Sequence, residues 1–145
     1  MKVSNYTRVD FPAQSANEAF ARSAAACFAA QLDPTLEELG NVKTAVSEAV
    51  TNCIVHAYPE ELGRICMKLR ILEGELLEIS VRDWGCGIPD VDRAMEPLFT
   101  TGGEDRSGMG FSIMGCFMDS LRVRSAPGRG TTVVMRKRIS GKRER

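Results

Sequence analysis

The stretch Arg64-Ile-Cys-Met-Lys-Leu-Arg-Ile-Leu-Glu-Gly-Glu-Leu-Leu-Glu-Ile-Ser-Val-Arg-Asp83 decides the fold. Ile65, Met67, Leu69 and Ile71 alternate with Arg64, Cys66, Lys68 and Arg70. After Glu73-Gly74-Glu75 the pattern resumes, with Leu77, Ile79 and Val81 alternating with Glu78, Ser80 and Arg82. A period of two marks a strand with one buried and one wet face. Both apolar sets carry odd numbers, so pairing them on one face requires a loop of odd length, which residues 73–75 supply. That register sets Arg70 opposite Glu78 on the wet face.

Outward from this hairpin the chain reads as further strands and helices. Upstream, Tyr6–Phe11 predicts a short strand ended by Pro12. Ser15 or Asn17 can cap a helix that runs to about Gln31, with Phe20, Ala24, Phe28 and Leu32 recurring every four residues and Ala21 and Cys27 beside them. The many alanines imply close approach to a neighbouring element. Asp33-Pro34-Thr35 breaks the chain, and a second helix is expected from about Leu36 to Tyr58, stopped by Pro59. Its Val42, Val46, Ala49, Val50, Cys53 and Ile54 share one side at 100° per residue. Downstream of Asp83 the chain is long and irregular to Gly110, with a short helix expected at about Ile88–Met95. A loop of that length in a compact domain is usually functional or disordered. A third helix follows from about Met109 to Met118, then strands Leu121–Arg124 and Thr131–Arg138 joined by Ala126-Pro127-Gly128-Arg129-Gly130. Leu121, Val123, Thr131, Val133 and Met135 are expected to face inward. The order β-α-α-β-β-loop-α-β-β, with one wet face per strand, predicts an α/β (α+β) two-layer sandwich: a mixed, mostly antiparallel sheet with helices on one face.

Composition narrows the function classes. The chain has 145 residues, 43% of them apolar and 26% charged, which fits a single domain over 1–145. Nineteen basic and nineteen acidic residues give no net charge, against the basic excess expected of a protein that grips nucleic acid by its phosphates. No apolar run approaches the roughly 18 residues of a membrane span, and the first ten residues lack a signal-peptide core. A soluble cytoplasmic protein is expected. The five cysteines, Cys27, Cys53, Cys66, Cys86 and Cys116, are odd in number and form no C-x-x-C pair, which argues against zinc ribbons and secreted disulfide frameworks. They read as small apolar fillers. Residues 136–145 are basic and read as a frayed, solvated tail.

Three polar features stand where chemistry could use them. Glu48 and Asn52 are four apart and share a helix face, roughly opposite the Val46–Cys53 core side and flanked by Ala45 and Val55. Such a pair is common on a solvated surface. Alternatively, it aims a carboxylate and an amide into a ligand cleft, where the amide oxygen suits Mg²⁺ beside phosphates and the carboxylate suits general-base work. Asp83 is in phase with Leu77, Ile79 and Val81, so its carboxylate points to the apolar face, where it is costly without a partner. It either caps the turn Asp83-Trp84-Gly85-Cys86-Gly87 or awaits a ligand donor such as an exocyclic amine. Gly108-Met109-Gly110 opens the third helix, leaving N–H groups free for anions. Gly103 and Gly108 mimic P-loop spacing, but Met109 stands where the lysine belongs, and no H-R-D, D-F-G or V-A-I-K set is present.

Together, Glu48-x-x-x-Asn52, Asp83-x-Gly85-x-Gly87, Gly108-x-Gly110 and Gly130-Thr131-Thr132 resemble the ATP-binding module shared by gyrase, Hsp90, histidine kinases and MutL. Glu48-Ala-Val-Thr-Asn52-Cys-Ile-Val-His56-Ala-Tyr58, Pro97-Leu-Phe-Thr-Thr101, Arg106-Ser-Gly-Met-Gly-Phe111 and Phe117-Met-Asp119 are similar to one branch of it, the small bacterial serine kinases that act as anti-sigma factors. The resemblance covers about Tyr6 to Lys137. It implies a histidine-kinase-like ATP-binding fold, with ATP or ADP and Mg²⁺ as ligands. It implies that Asn52 binds the metal bridging the phosphates, and that Glu48 is the general base for an attacking serine. By the same likeness Asp83 takes the adenine amine with Thr131 beside it through a water, and Gly85 and Gly87 shape the base pocket. Thr100, Thr101, Ser107, Gly108, Met109 and Gly110 belong to the nucleotide site, and Arg106 to charge stabilisation on the transferred phosphoryl. The implied partners are a sigma factor, sigma-F of sporulation, a serine-bearing anti-anti-sigma protein, and a second copy of the chain. Two departures from the branch stand out. Gly102-Gly103 follows Thr101 where relatives often carry a lysine, and Trp84 puts a bulky ring inside the adenine box, to stack or to cover the sheet end. His56, the sole histidine, follows the Glu/Asn pair in the same helix, so it reads as packed or phosphate-lining and the phosphoacceptor belongs to another protein.

Overall fold

The computed structural model describes residues 1–58, 62–95 and 110–141. Five strands form one sheet in the order β1-β2-β3-β5-β4: β1 Val3–Pro12, β2 Arg64–Leu72, β3 Leu76–Asp83, β4 Ser120–Ala126 and β5 Gly130–Arg138. Every neighbouring pair is antiparallel, so the sheet is not mixed. The central hairpin has the expected bounds and register, with Ile65 opposite Asp83, Leu69 opposite Ile79 and Arg70 opposite Glu78. On the outer face Glu78 is buried between Arg70, at 2.6 Å, and Arg136, at 2.8 Å. Burial pushes the Glu78 carboxyl up, but the two guanidinium groups outweigh it and hold it below its ordinary range.

Helices cover the other face. α1 spans Ala16–Ala29 and α2 spans Leu36–Asn52, while α3, Val91–Ala94, and α4, Gly110–Phe117, lie between β3 and β4 in the chain. α1 packs beside α2, and α2 beside α4. Thr35 starts α2 with a capping box: its hydroxyl accepts from the Glu38 amide at 3.0 Å, and the Glu38 carboxylate accepts from the Thr35 amide at 2.9 Å. Val42, Val46, Ala49 and Val50 of α2 form the core with the odd-numbered residues of β2, β3 and β5, among them Met67, Ile79 and Met135.

Several elements depart from the sequence reading. β1 is ten residues long, because the edge strand follows the full length of β2 from Leu72 to Arg64. The buried stripe of α1 is Ala21, Ala25 and Ala29, and Phe20 is 51% exposed, resting edge-on against Phe11. Only methyl groups fit where α1 closes on α2, so the larger Phe28 and Leu32 sit on the flank. The α-helical part of α2 ends at Asn52 and passes into a π-helical turn over Cys53–Ala57. Ala45, expected on the outer side, is fully buried, because neighbours enclose α2 on more than one side. Only Cys53 fills the core; Cys27, Cys86 and Cys116 are exposed and Cys66 is half-buried. Residues 136–141 are held, not frayed: Arg136–Arg138 continue β5, Ile139 is buried, and Ser140 and Gly141 donate to the Glu38 carboxylate. Among the described residues no helix is long and apolar enough to cross a membrane.

Candidate functional site

The register of the sheet gathers one polar row at its end. Asp83, Thr131 and Ser125 lie side by side across β3, β5 and β4, next to the apolar Ile65 of β2. All are odd-numbered and share the helix-facing side. Asp83 is only 4% exposed, and its Oδ1 accepts from the Gly85 amide at 3.0 Å and the Thr131 amide at 3.2 Å. So it does cap its own turn. Burial nevertheless raises its pKa, against the opposing bonds from Gly85, the Cys53 thiol and Thr131. Burial and the neighbouring Asp83 likewise push the Cys53 thiol well up, so it stays protonated beside the carboxylate. A carboxylate held at this cost at the end of a sheet is a functional candidate.

The glycines of the box have packing reasons of their own. A Cβ on Gly85 would lie 2.2 Å from the Ala57 carbonyl oxygen, where the π-helical turn passes the loop and the Cys86 amide donates to Ala57. Gly87 has φ +78°, and its Cβ would meet the Ala126 carbonyl. Close approach of protein backbone therefore accounts for both residues in the free protein. Trp84 turns to the outer face, with Arg64 3.9 Å and Arg82 4.7 Å from its ring centroid, so it covers the sheet end away from the Asp83 row. The Tyr58 hydroxyl ties the π-helical turn to the same corner, donating to the Arg64 carbonyl at 2.8 Å and accepting from the Trp84 amide at 2.6 Å. His56 lies within that turn and its carbonyl accepts from the Cys86 thiol.

Glu48 and Asn52 do not face open solvent opposite the core. Both heads converge on the first residue of α4: a Cβ on Gly110 would sit 3.3 Å from Glu48 Oε2 and 3.3 Å from both Asn52 head atoms. Both residues are half-buried. One carboxylate and one amide oxygen make a small donor set, which fits a magnesium ion whose remaining ligands are phosphates and waters. Glu48, but not Asn52, also lines a polar recess of about 290 Å³ on the α1–α2 surface, together with Arg22, Gly40, Lys43, Thr44 and Ser47. Thr100, Thr101, Arg106, Ser107, Gly108 and Met109 lie outside the described residues, as do Gly102 and Gly103.

Sequence reasoning missed Ser125. Its hydroxyl accepts from the Ile88 amide at 2.7 Å, donates to the Gly130 carbonyl at 3.0 Å and lies 2.8 Å from Thr131 Oγ1. The signal was available: pairing β4 with β5 through the turn at 126–130 sets Ser125 opposite Thr131 on the inward face.

A family model described as a histidine kinase-like ATPase domain matches residues 11–137. The anti-sigma F factor of Caldanaerobacter subterraneus subsp. tengcongensis is 53% identical over 144 residues, covering 99% of this chain and 100% of the relative. The chain belongs to the anti-sigma F factor family. Another such factor, from Geobacillus kaustophilus, is 50% identical over 137 residues, 94% of each chain. Among solved structures, the RsbU and RsbW domains of a Mycobacterium tuberculosis protein superpose with a TM-score of 0.67 at 16% identity, over 94% of this chain and 33% of that one. The histidine kinase domain of a blue-light activated kinase from Erythrobacter litoralis superposes with a TM-score of 0.59 at 24% identity, over 85% of this chain and 61% of that one. These two show the fold that anti-sigma F factors share with histidine kinases. Within that fold the Asp83 carboxylate, bonded to the Cys53 thiol, and the Glu48–Asn52–Gly110 cluster meet the same stretch of helix, where α2 passes into the π-helical turn.

Proposed function

We propose that the chain is an anti-sigma factor and an ATP-dependent protein-serine kinase. It would bind a sigma factor, sigma-F by likeness to its relatives, and phosphorylate a serine of an anti-anti-sigma antagonist in the cytoplasm. One observation carries the reading: a buried carboxylate at the sheet end, bonded to Cys53, and the Glu48–Asn52 pair against the start of α4 meet the same stretch of helix. That arrangement suits a ligand with a hydrogen-bond-donating base at one end and phosphates at the other. In this reading Asp83 and Thr131 take the adenine amine, and the first turn of α4, with Ser107 to Gly110, holds phosphate oxygens. Gly85 and Gly87 keep the loop beside the base by letting it close on Ala57 and Ala126. Thr100, Thr101 and Arg106 complete the phosphate end.

Asn52 would hold magnesium, which when bound neutralises charge on the phosphates. Glu48 stands beside Asn52 and also lines the recess that opens on the α1–α2 surface, so a serine of a second protein can reach it from that side. The serine oxygen bonds to the terminal phosphorus as the bond to the bridging oxygen of ADP breaks, and the serine proton passes to Glu48. ATP then differs from ADP by a phosphoryl that Arg106 would contact, which gives a switch between holding the sigma factor and holding the antagonist. A homodimer is part of the proposal, since β1 is an edge strand with one side unpaired in the sheet.

A second reading is a nucleotide-gated binding module without catalysis; the carboxylate of Glu48 at the phosphate end speaks against it, since binding alone needs no base. The test mixes the protein with MgATP and the candidate antagonist. Phosphoserine should form, and Glu48→Gln should slow it by about 10²–10⁴-fold while leaving ATP affinity near wild type. Tight ATP binding without transfer would favour the gated module, and phosphohistidine on a partner would mark a detached histidine-kinase domain. Retention of a protein other than sigma-F in a pull-down with ATP, such as sigma-B of the stress response, would redirect the partner assignment.

A further inference from the structure

We infer that Ser125 fixes the Thr131 hydroxyl as a pure proton acceptor, and that this polarity makes the base pocket select a 6-amino purine over a 6-oxo purine. The inference rests on the nucleotide reading above and adds to it a residue that sets base specificity. It follows from proton accounting. A hydroxyl oxygen has one proton and two lone pairs. Ser125 Oγ has three partners: the Ile88 amide at 2.7 Å, the Gly130 carbonyl at 3.0 Å and Thr131 Oγ1 at 2.8 Å. The Ile88 N–H can only donate, so it occupies one lone pair. The Gly130 carbonyl can only accept, so it takes the Ser125 proton. The remaining lone pair must receive the proton of Thr131. The reverse assignment, Ser125 donating to Thr131, would leave a lone pair facing the Gly130 carbonyl oxygen at 3.0 Å, which is repulsive.

Thr131 therefore has no proton to offer a ligand. Its backbone amide is also committed, donating to Asp83 Oδ1 at 3.2 Å. The Gly85 amide donates to the same oxygen at 3.0 Å. The side chains of Asp83 and Thr131 thus present acceptors side by side, and a 6-amino group meets them as a donor while a 6-oxo group meets them lone pair to lone pair. A bridging water keeps the same sense: if it donates to both Asp83 and Thr131, it can only accept from the base. Ser125 is a positioning residue here, acting through Thr131.

The experiment compares ATP with inosine triphosphate, which carries an oxo group at position 6, by competition binding to the full chain with Mg²⁺. Wild type should prefer ATP. Ser125→Ala frees the Thr131 proton, so the ATP-to-inosine-triphosphate affinity ratio should fall about tenfold, one hydrogen bond's worth. Ser125→Thr, which keeps the hydroxyl, should restore it. In a Thr131→Val background Ser125→Ala should no longer change the ratio. If Ser125 merely braces the loop at Ile88, both nucleotides weaken together and the ratio stays, which overturns the proposal alone. A wild-type protein that binds both nucleotides equally also overturns it while leaving the nucleotide site standing. A wild-type protein that binds neither removes the site itself.

Discussion

Replacing Asp83 by Asn should separate stability from nucleotide binding. The carboxylate is 4% exposed and its pKa is raised, chiefly by burial. A carboxyl whose folded pKa lies above its unfolded value of 3.8 stabilises the fold only when protonated, and its ionisation at neutral pH costs stability. Asparagine carries no charge, and its Oδ1 can still accept from the Gly85 and Thr131 amides that Asp83 Oδ1 holds at 3.0 and 3.2 Å. The ligand-free variant should therefore melt at pH 7 no lower than wild type. Nucleotide binding should behave oppositely. The second head atom changes from acceptor to donor and opposes the amine of the base. Hydrogen bonds to charged groups contribute about 1.5–3 kcal/mol, so affinity should fall by about 10–150-fold. Thermal unfolding without ligand and calorimetric titration with MgATP read the two effects separately. Unchanged ATP affinity would show that Asp83 serves only its turn. A melting point many degrees lower, with affinity lost in proportion, would show that it serves only the fold.

Two further outcomes follow from the geometry. Gly85→Ala places a methyl group 2.2 Å from the Ala57 carbonyl oxygen, a clash with backbone that no rotamer relieves, and should destabilise the ligand-free protein by about 1–3 kcal/mol; denaturant unfolding measures it, and an unchanged midpoint would contradict the packing role. Burial pushes the Glu38 carboxyl up, but the amides of Thr35, Ser140 and Gly141 and the Ser140 hydroxyl outweigh it and hold it at about 2, from an ordinary value of 4.5. Its contribution is thus complete above pH 4.5 and lost as pH falls toward about 2. Glu38→Gln should cost about 1–2 kcal/mol at pH 7, and its melting temperature should fall less steeply than wild type below pH 4.5; parallel pH profiles would contradict this.

The hairpin was legible in the sequence because a period of two and an odd loop leave one register that buries both apolar sets. Asp83 followed from the same parity, as a charge in phase with Ile79 and Val81. The α1 face was not legible, because its spacing puts Phe20 and Phe28 on as plausible a stripe as Ala21 and Ala25, and only the nearness of α2 decides for methyl groups. The surroundings of Glu48 and Asn52 stayed open for a similar reason. Helical angles place them relative to Val46, but the position of α4 is a tertiary fact, and it decides between a solvated pair and one closed over by Gly110. Ser125 needed the pairing of β4 with β5 to come into view, since a serine before Ala126-Pro127-Gly128 otherwise reads as turn chemistry.

The central assertion is spatial, and a backbone amide titration with MgADP tests it most directly. The amides of Gly85 and Thr131 at the sheet end, together with the side-chain amide of Asn52 and the backbone amide of Gly110, should shift at one common affinity that weakens when magnesium is removed. Shifts confined to the outer face around Arg70 and Arg136, with these four silent, would place the ligand on the wrong side of the sheet and contradict the account.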